Sequence, residues 1–189
     1  PEFPVNTSTA ASPRSHIALS ANTLGNSVAA WQDSLANSIV ARLLDAGVPT
    51  GTEEQVNVNT DHLNREPSVA LDQFGNFATV WVEAIGAFAE AAAPEGSPIV
   101  ILGRKRNGGG GFTELLFPPP TDAQFPVNST GADFAVPRIA GKPRGSFVAA
   151  WQGTDPSDTS GYSIAYRAFL DALFADDFET EDTSRWSAT

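Results

Sequence analysis

Three arginines, Arg14, Arg65 and Arg138, stand just before the first expected strand of three successive segments of the chain. A guanidinium group binds a carboxylate through two parallel hydrogen bonds, so three that converged would make a site for an acidic ligand. Their offsets from the expected strands differ, however, and the chain carries 22 acidic residues. Because exposed ion pairs contribute little to stability, the simpler prediction for these arginines is ordinary surface pairing.

Other residues that support hydrolytic chemistry are scarce. The chain has 2 histidines, His16 and His62, and neither stands in the spacing of a Ser-His-Asp triad or of a zinc site. GxSxG and HExxH motifs do not occur, and the glycines at 108–111 lack the Lys-Ser/Thr of a phosphate loop. We therefore expect structural roles for both histidines and no enzymatic activity.

Acidic loops offer carboxylate oxygens, which are the ligands that calcium prefers. Asp155 and Asp158 lie in one such loop, and Asp176 and Asp177 lie in an acidic cluster near residue 180. Neither segment matches an EF-hand or a nonapeptide calcium motif. The sequence thus predicts no cofactor, with calcium at these four aspartates as the alternative.

A threefold repeat organises the chain. Each copy has a tryptophan six residues after a glycine, at Trp31, Trp81 and Trp151. Downstream of each tryptophan lies an apolar stretch that ends in an arginine, at Arg42, Arg104 and Arg167. A repeat in fixed order indicates stacked supersecondary units. We expect the tryptophans to pack between units, and each repeated arginine to pair there with an acid or to stack on an aromatic ring.

The repeat also decides the type of secondary structure. Residues 28–43 alone have the apolar spacing of a helix. The matching residues 77–82 are β-branched and aromatic, and copies of one unit share one structure, so we predict strands in all three copies. Both faces of 77–82 are apolar, which is typical of a sheet packed between two other sheets, as in the blades of a propeller.

The predicted fold is therefore all-β, with three four-stranded antiparallel repeat units in a propeller-like array. In each unit the first strand leads through a glycine turn to the tryptophan strand, the third strand ends in arginine, and the fourth contains a Val-Asn pair. The units cover about 1–53, 54–123 and 124–170, and an acidic tail follows at 171–189.

The unit resembles a bacterial secreted repeat family built from VNT, PSVA, a Gly-Asn turn, a strand ending in Trp and a strand ending in Arg. The corresponding stretches here are Val5-Asn6-Thr7, Pro67-Ser68-Val69-Ala70, Gly75-Asn76, Trp81 and Arg104. The resemblance implies a propeller-like β-repeat region of an extracellular or surface protein. The stretch LFADDFETEDTSRWS at 173–187 resembles a C-terminal tail of secreted Gram-negative proteins, with Asp177 and Glu181 where that tail has glycine.

A sialidase-like site is a narrower, enzymatic alternative. The arginines at 14, 65 and 138 are similar to the arginines that sialidase propellers gather around a carboxylate substrate. Such a site also needs a tyrosine nucleophile paired with a glutamate, and Tyr162 and Tyr166 have no glutamate partner by motif. The Asp-box pattern of those propellers does not occur in the sequence either.

The two ends of the repeat do not match each other. The third unit has no Val-Asn pair after Arg167, whereas the chain opens with one in Phe3, Pro4, Val5, Asn6 and Thr7. A closed propeller has at least about four blades. We expect the first segment to complete the third unit of the same molecule or of another copy, unless the chain is part of a longer array.

Of these possibilities we favour a non-enzymatic structural protein that assembles head to tail by strand complementation into an extracellular filament or surface polymer. The tail would then pack on a neighbouring copy through three aromatic residues, Phe174, Phe178 and Trp186. The alternative is a propeller module that binds a glycan or another ligand. Its binding face would be the loops at 83–98 and 153–163, where the second and third copies carry insertions.

Composition bounds the partners and the location. The net charge of −11 repels nucleic acids, and no run of 18 apolar residues exists to span a membrane. The chain has no cysteine, 16 glycines and 14 prolines, which suits a turn-rich β protein outside the cell, and loss of a signal peptide would explain why residue 1 is not methionine. We therefore expect a secreted protein whose partner is itself, with cell-surface or matrix glycans as the alternative.

Overall fold

The computed structural model describes residues 2–7, 11–84, 99–106, 112–113, 125–128, 136–142, 145–153 and 163–169. All the regular structure in these ranges is β-strand, and the strands form three antiparallel sheets. The prediction of an all-β fold with antiparallel sheets is confirmed. The same ranges contain no helix long and apolar enough to cross a membrane.

The first sheet has four strands in the order in which they follow in the chain. They are β1 Arg14–Ala21, β2 Ser27–Asp33, β3 Ser38–Asp45 and β4 Val48–Gln55. Residues 28–43, whose spacing taken alone suggests a helix, are thus divided between two paired strands, with Trp31 opposite Val40.

The second sheet has three long strands, β5 Leu63–Leu71, β6 Phe77–Ala84 and β7 Ile99–Arg106. Two short strands, β8 Phe112–Thr113 and β9 Phe125–Pro126, both pair with β7. The third sheet has three strands in the described residues, β10 Arg138–Gly141, β11 Phe147–Gly153 and β12 Ser163–Phe169. Four strands in every unit are therefore not confirmed, although the first three strands of each unit correspond.

A tight turn joins the first two strands of each sheet. In the second sheet, the Asp72 carboxylate oxygen Oδ1 accepts hydrogen bonds from the backbone N–H groups of Phe74 and Asn76, at 2.8 and 2.9 Å. Gly75 lies in this turn with φ +82°, a conformation that costs a residue with a side chain about 1–2 kcal/mol. The repeated glycines predicted to form turns at 25 and 145 have the same backbone, with φ +90° and +88°.

The sheets stack face to face. Successive residues of a strand point alternately to opposite faces of its sheet, so each sheet has two distinct faces. We call the face that carries the repeated tryptophan the near face and the opposite one the far face. The core between the first two sheets joins the far face of sheet one to the near face of sheet two, through Val28, Ala30, Ile39, Ala41, Val69, Leu71, Phe77, Trp81 and Leu102. Sheets two and three meet in the same way, through Val80, Val82, Ile99, Ile101, Ile139, Ala149, Trp151 and Phe169.

The middle sheet is consequently buried on both sides, and all eight residues of β6 are buried. The first strands of neighbouring sheets also touch directly. Ser20 accepts a hydrogen bond from Leu71 N at 3.0 Å, and Ser68 accepts one from Ile139 N at 3.2 Å. The prediction that an apolar sheet lies between two others thus holds for sheet two. In the described residues, the stack has one outward face at each end.

Candidate assembly site

A Val-Asn pair closes the edge of the first sheet. Val56 N donates to the carbonyl of Ile39, the second residue of β3, at 2.7 Å. The next residue, Asn57, accepts a hydrogen bond from Ile39 N through its side-chain oxygen Oδ1, at 2.8 Å. The prediction that the pair belongs to the fourth strand is wrong here, because β4 ends at Gln55. An asparagine side chain, rather than a backbone carbonyl, provides the last acceptor of the ladder.

The Asn57 side chain is almost fully buried, and its amide nitrogen Nδ2 is satisfied as well. It donates to the carbonyls of Asn37 and Asn59, at 3.2 and 2.7 Å. Asn64, at the start of the next sheet, donates to the same two carbonyls, at 3.0 and 2.8 Å. This polar cluster therefore connects the edge of sheet one to the beginning of sheet two.

The second sheet ends in the same way. Val127 N donates to the carbonyl of Ile101 at 2.7 Å, and Asn128 Oδ1 accepts from Ile101 N at 2.7 Å. Ile101 and Ile39 occupy equivalent positions, since each lies opposite the residue that follows the repeated tryptophan. Both isoleucines are fully buried. The Val-Asn pair thus makes the same two hydrogen bonds to the edge isoleucine in both sheets.

The repeated arginine of the next sheet holds the valine of each pair. Arg104 Nη1 donates to the carbonyl of Val56 at 2.7 Å, and Arg167 Nη1 donates to the carbonyl of Val127 at 3.4 Å. Burial lowers the pKa of Arg104 from its ordinary value, because the charged guanidinium loses water. In each joint the repeated arginine binds a backbone carbonyl, and Arg167 also lies 5.6 Å from the ring of Phe169.

We call the whole arrangement the joint: a Val-Asn pair caps the edge isoleucine of its own sheet, and the arginine of the following sheet binds the valine carbonyl. Two complete joints link sheets one to two and two to three. Each joint therefore contains parts from two consecutive units. A sheet at one end of the stack can supply only half of the next joint.

The N-terminal segment forms such a half joint with sheet one. Arg42 Nη1 donates to the carbonyl of Val5, as Arg104 does to that of Val56. The Val5 side chain packs against the buried cluster of Ala29, Trp31 and Leu44, and Thr7 Oγ1 donates to Glu53 Oε1 at 3.1 Å. Phe3, Pro4, Val5, Asn6 and Thr7 form no strand in the structure. Val5 lies against the near face of sheet one, where a preceding unit would place its Val-Asn pair.

The other half joint lies at the open edge of sheet three. Ile164 of β12 lies opposite Gln152, the residue after Trp151, and so corresponds to Ile39 and Ile101. Whereas those two isoleucines are 0% exposed, Ile164 is 76% exposed, and Tyr166 on the same face is 75% exposed. In the part of the chain that the structure describes, β12 pairs only with β11.

The repeated tryptophans lie on the near faces that form the joints. Trp81 is fully buried against sheet one, and its indole Nε1 donates to Asn64 Oδ1 at 2.9 Å. Trp151 packs against sheet two and is partly exposed. Trp31 is buried beside Val5, and its Nε1 has no acceptor among the described residues. Of the three tryptophans, Trp81 is the most deeply buried.

The structure does not align the residues considered for catalysis. Arg14, Arg65 and Arg138 lie opposite three different register positions, Asp33, Val82 and Ala150. Each histidine ring lies beside a glutamate carboxylate, with 2.9 Å from His16 Nε2 to Glu66 Oε1 and 3.0 Å from His62 Nδ1 to Glu83 Oε1.

Several predicted residues lie outside the described ranges. They are the calcium candidates Asp155, Asp158, Asp176 and Asp177 and the tail residues Phe174, Phe178 and Trp186. Within the described ranges, no group of three or more metal-binding side chains occurs.

Sequence reasoning identified the Val-Asn pair but missed what its asparagine does. It also missed Ile164 and the buried Asn64. One signal for the asparagine was available, since Asn is a poor strand residue and yet recurs beside valine at 6, 57 and 128. A disfavoured residue kept at one position of a repeat indicates a specific side-chain contact.

Comparisons with known proteins establish a fold and not a family. No protein-family model matches the sequence, and no curated protein matches it. A solved structure titled "Hadza microbial sialidase Hz136" is similar in fold, with a TM-score of 0.58 and 11% sequence identity. The similarity covers 85% of this chain, which spans 36% of the length of that protein. Three stacked antiparallel sheets are therefore compatible with part of a β-propeller.

Proposed function

We propose that this chain is a secreted, non-enzymatic structural protein that assembles head to tail by strand complementation. The observation that carries the proposal is the pair of half joints. One end of the stack holds a Val-Asn pair on Arg42, and the other end has the edge isoleucine Ile164 exposed. Two copies placed end to end would unite these halves.

The internal joints support this proposal, since they show what a completed half looks like. Ile39 and Ile101 have their backbone groups capped by Val-Asn pairs, and their side chains are fully buried in the cores between sheets. Adding a segment to an open edge supplies main-chain hydrogen bonds and removes the hazard of an unpaired strand. The assembly is a filament when successive joints do not close on themselves, and a ring when they do.

Charge sets a condition on the assembly. Each copy carries a net charge of −11, so two copies repel each other before their surfaces touch. Salt weakens this repulsion over distances beyond roughly 10 Å at 0.1 M ionic strength. Head-to-tail association should therefore strengthen as salt rises, because most of the joint consists of apolar contacts and short hydrogen bonds.

Deletion of residues 1–9 tests the proposal. The intact chain should elute as an assembly well above its 19.9 kDa monomer mass, whereas the truncated chain should be monomeric in size-exclusion chromatography with light scattering. Its circular dichroism should keep the β-sheet spectrum of the parent, because residues 2–7 belong to no strand. A truncated chain that forms the same assemblies would show that the segment is not the donor.

The fold similarity to a sialidase favours a second candidate, a propeller that binds or cleaves a glycan. Under this hypothesis Arg14 and Arg138 would bind an acidic sugar. A glycan array and a fluorogenic sialoside assay test it directly, with Arg14→Ala and Arg138→Ala as variants. Binding or hydrolysis that both variants lose would support the glycan hypothesis, and a silent array and assay on the folded parent would end it.

A further inference from the structure

Among the described residues, the far face of sheet three is the exposed counterpart of a surface that is buried in both sheet one and sheet two. We call it the acceptor face and define it by Arg138, Val148, Ala150, Ile164 and Tyr166. These residues share their register with the far-face residues of sheets one and two, which form the cores between sheets. Ile164 and Tyr166 are exposed, whereas their counterparts in sheet one, Ile39 and Ala41, are almost completely buried.

The near face of sheet one is the matching surface. Leu19 of β1 lies opposite Ala29, as Val69 of β5 lies opposite Thr79, so the two side chains are equivalent. Val69 is 5% exposed between sheets one and two, while Leu19 is 68% exposed. Arg42 holds Val5 beside this face. Val5 belongs to a Val-Asn pair of the same kind as the pairs that cap an isoleucine in each internal joint.

We propose that the acceptor face binds the near face of sheet one from a second copy of this chain. Val5 N of that copy donates to the carbonyl of Ile164, and its Asn6 side chain accepts from Ile164 N. The inference rests on the proposed function and names its docking surface. It follows from continuity with the internal joints, because residues in an antiparallel strand alternate in the direction of their backbone groups. Ile164 therefore directs its N–H and carbonyl to the open edge, as Ile39 does.

The number of sheets in each copy bears on how many copies join. The described residues of each copy form three sheets, so a ring of such copies would contain a multiple of three, and propellers close with about four to eight. Six is the one multiple of three in that interval, so two copies close the ring. Each copy then donates its Val5–Asn6 segment to the other, and the two joints are equivalent by a twofold axis.

One substitution tests the docking surface by changing the acceptor half of the joint. Ile164→Asp places a charge on the acceptor face, and Leu35→Asp is the matched control in the turn between β2 and β3. The two side chains are similarly exposed, at 76% and 72%, so neither substitution disturbs a core. By light scattering and native mass spectrometry, Ile164→Asp should lower the association constant at least about tenfold, and Leu35→Asp should leave it unchanged.

A mixture of two assembly-deficient variants tests the joint most directly. The chain lacking residues 1–9 keeps the acceptor face, and Ile164→Asp keeps the donor segment. Each should be monomeric alone, and the mixture should form a heterodimer with a single joint, weaker than the parent dimer because the second joint no longer acts within one complex. The parent itself should stop at two copies, which is about 40 kDa for a ring with twofold symmetry.

The outcomes separate this inference from the proposed function. A parent that remains monomeric at every concentration overturns both. Assembly that is lost on deletion of residues 1–9 but kept in Ile164→Asp leaves the donor in place and overturns the acceptor face. Open polymers that both variants abolish overturn the two-copy ring and keep the joint. A heterodimer in the mixture, together with a dimeric parent, supports the whole proposal.

Discussion

Replacement of Asn57 by alanine tests whether the Val-Asn pair fastens one sheet to the next. Asn57 is 1% exposed and makes three hydrogen bonds through its side chain. Alanine removes all three and leaves Ile39 N buried without its acceptor. The carbonyls of Asn37 and Asn59 lose one donor each but keep the other, which is Asn64.

The expected cost follows from these contacts. An orphaned buried N–H group costs about 1–3 kcal/mol, and a lost hydrogen bond whose acceptor keeps another donor costs about 0.5–1 kcal/mol. The sum for Asn57→Ala is about 3 kcal/mol, a large part of the roughly 5–15 kcal/mol that stabilises a domain. For a chain of this size, about 3 kcal/mol lowers Tm by roughly 6–12 °C.

Tryptophan fluorescence during urea and thermal unfolding measures this change. The protein concentration must be the same for all variants, because self-association makes Tm depend on it. Asn26→Ala is the control, since the Asn26 side chain makes no hydrogen bond within the described ranges, and its effect should stay within about 0.5 kcal/mol. If Asn57→Ala costs less than about 1 kcal/mol with an unchanged m-value, the joint does not fasten the sheets.

Two further substitutions test the packing and the turns. Trp81→Phe removes the bond from the indole to Asn64 and should cost about 1–3 kcal/mol in urea unfolding; equal stability would show that this buried bond is dispensable. Gly75→Ala forces a side chain into the left-handed backbone at φ +82° and should cost about 1–2 kcal/mol. Gly153→Ala is its control, because an added Cβ would meet the Trp151 ring at an ordinary 3.6 Å; equal losses at both glycines would refute backbone strain as the cause.

The sequence predicted the stacked core because that core has a repeated, local pattern. Residues 77–82 are apolar on both faces and follow a glycine turn, a pattern that indicates a sheet covered on both sides, and β6 is buried throughout. The fourth strand carries a much weaker pattern. In sheet one it is Val48–Gln55, a polar and mostly exposed strand, and in sheet two its place is taken by two-residue strands on β7.

The joint was harder to predict, because its bonds join residues that periodicity does not relate. Arg104 binds the carbonyl of Val56, 48 positions earlier, and a carbonyl partner leaves no mark in the sequence. The sequence therefore suggested an acid or an aromatic ring for the repeated arginines. Asn57 accepts the hydrogen bond of Ile39 N through its side-chain oxygen, where a strand would offer a backbone carbonyl. The apolar pattern of a strand predicts backbone pairing and gives no sign of such a side-chain acceptor.

Directional hydrogen bonds would make the ends of this stack selective in the proposed assembly. Apolar faces such as those of β6 attract any other apolar face, and a strand can shift by two residues while keeping the same side chains inward. The joint fixes one register, since Asn57 reaches Ile39 N and Arg104 reaches the Val56 carbonyl in one alignment. Under the proposed assembly, the terminal halves would use equivalent donors and acceptors and would be specific for each other. A second copy that approached by its apolar surface alone would leave the Ile164 backbone uncapped, and that difference favours the head-to-tail arrangement.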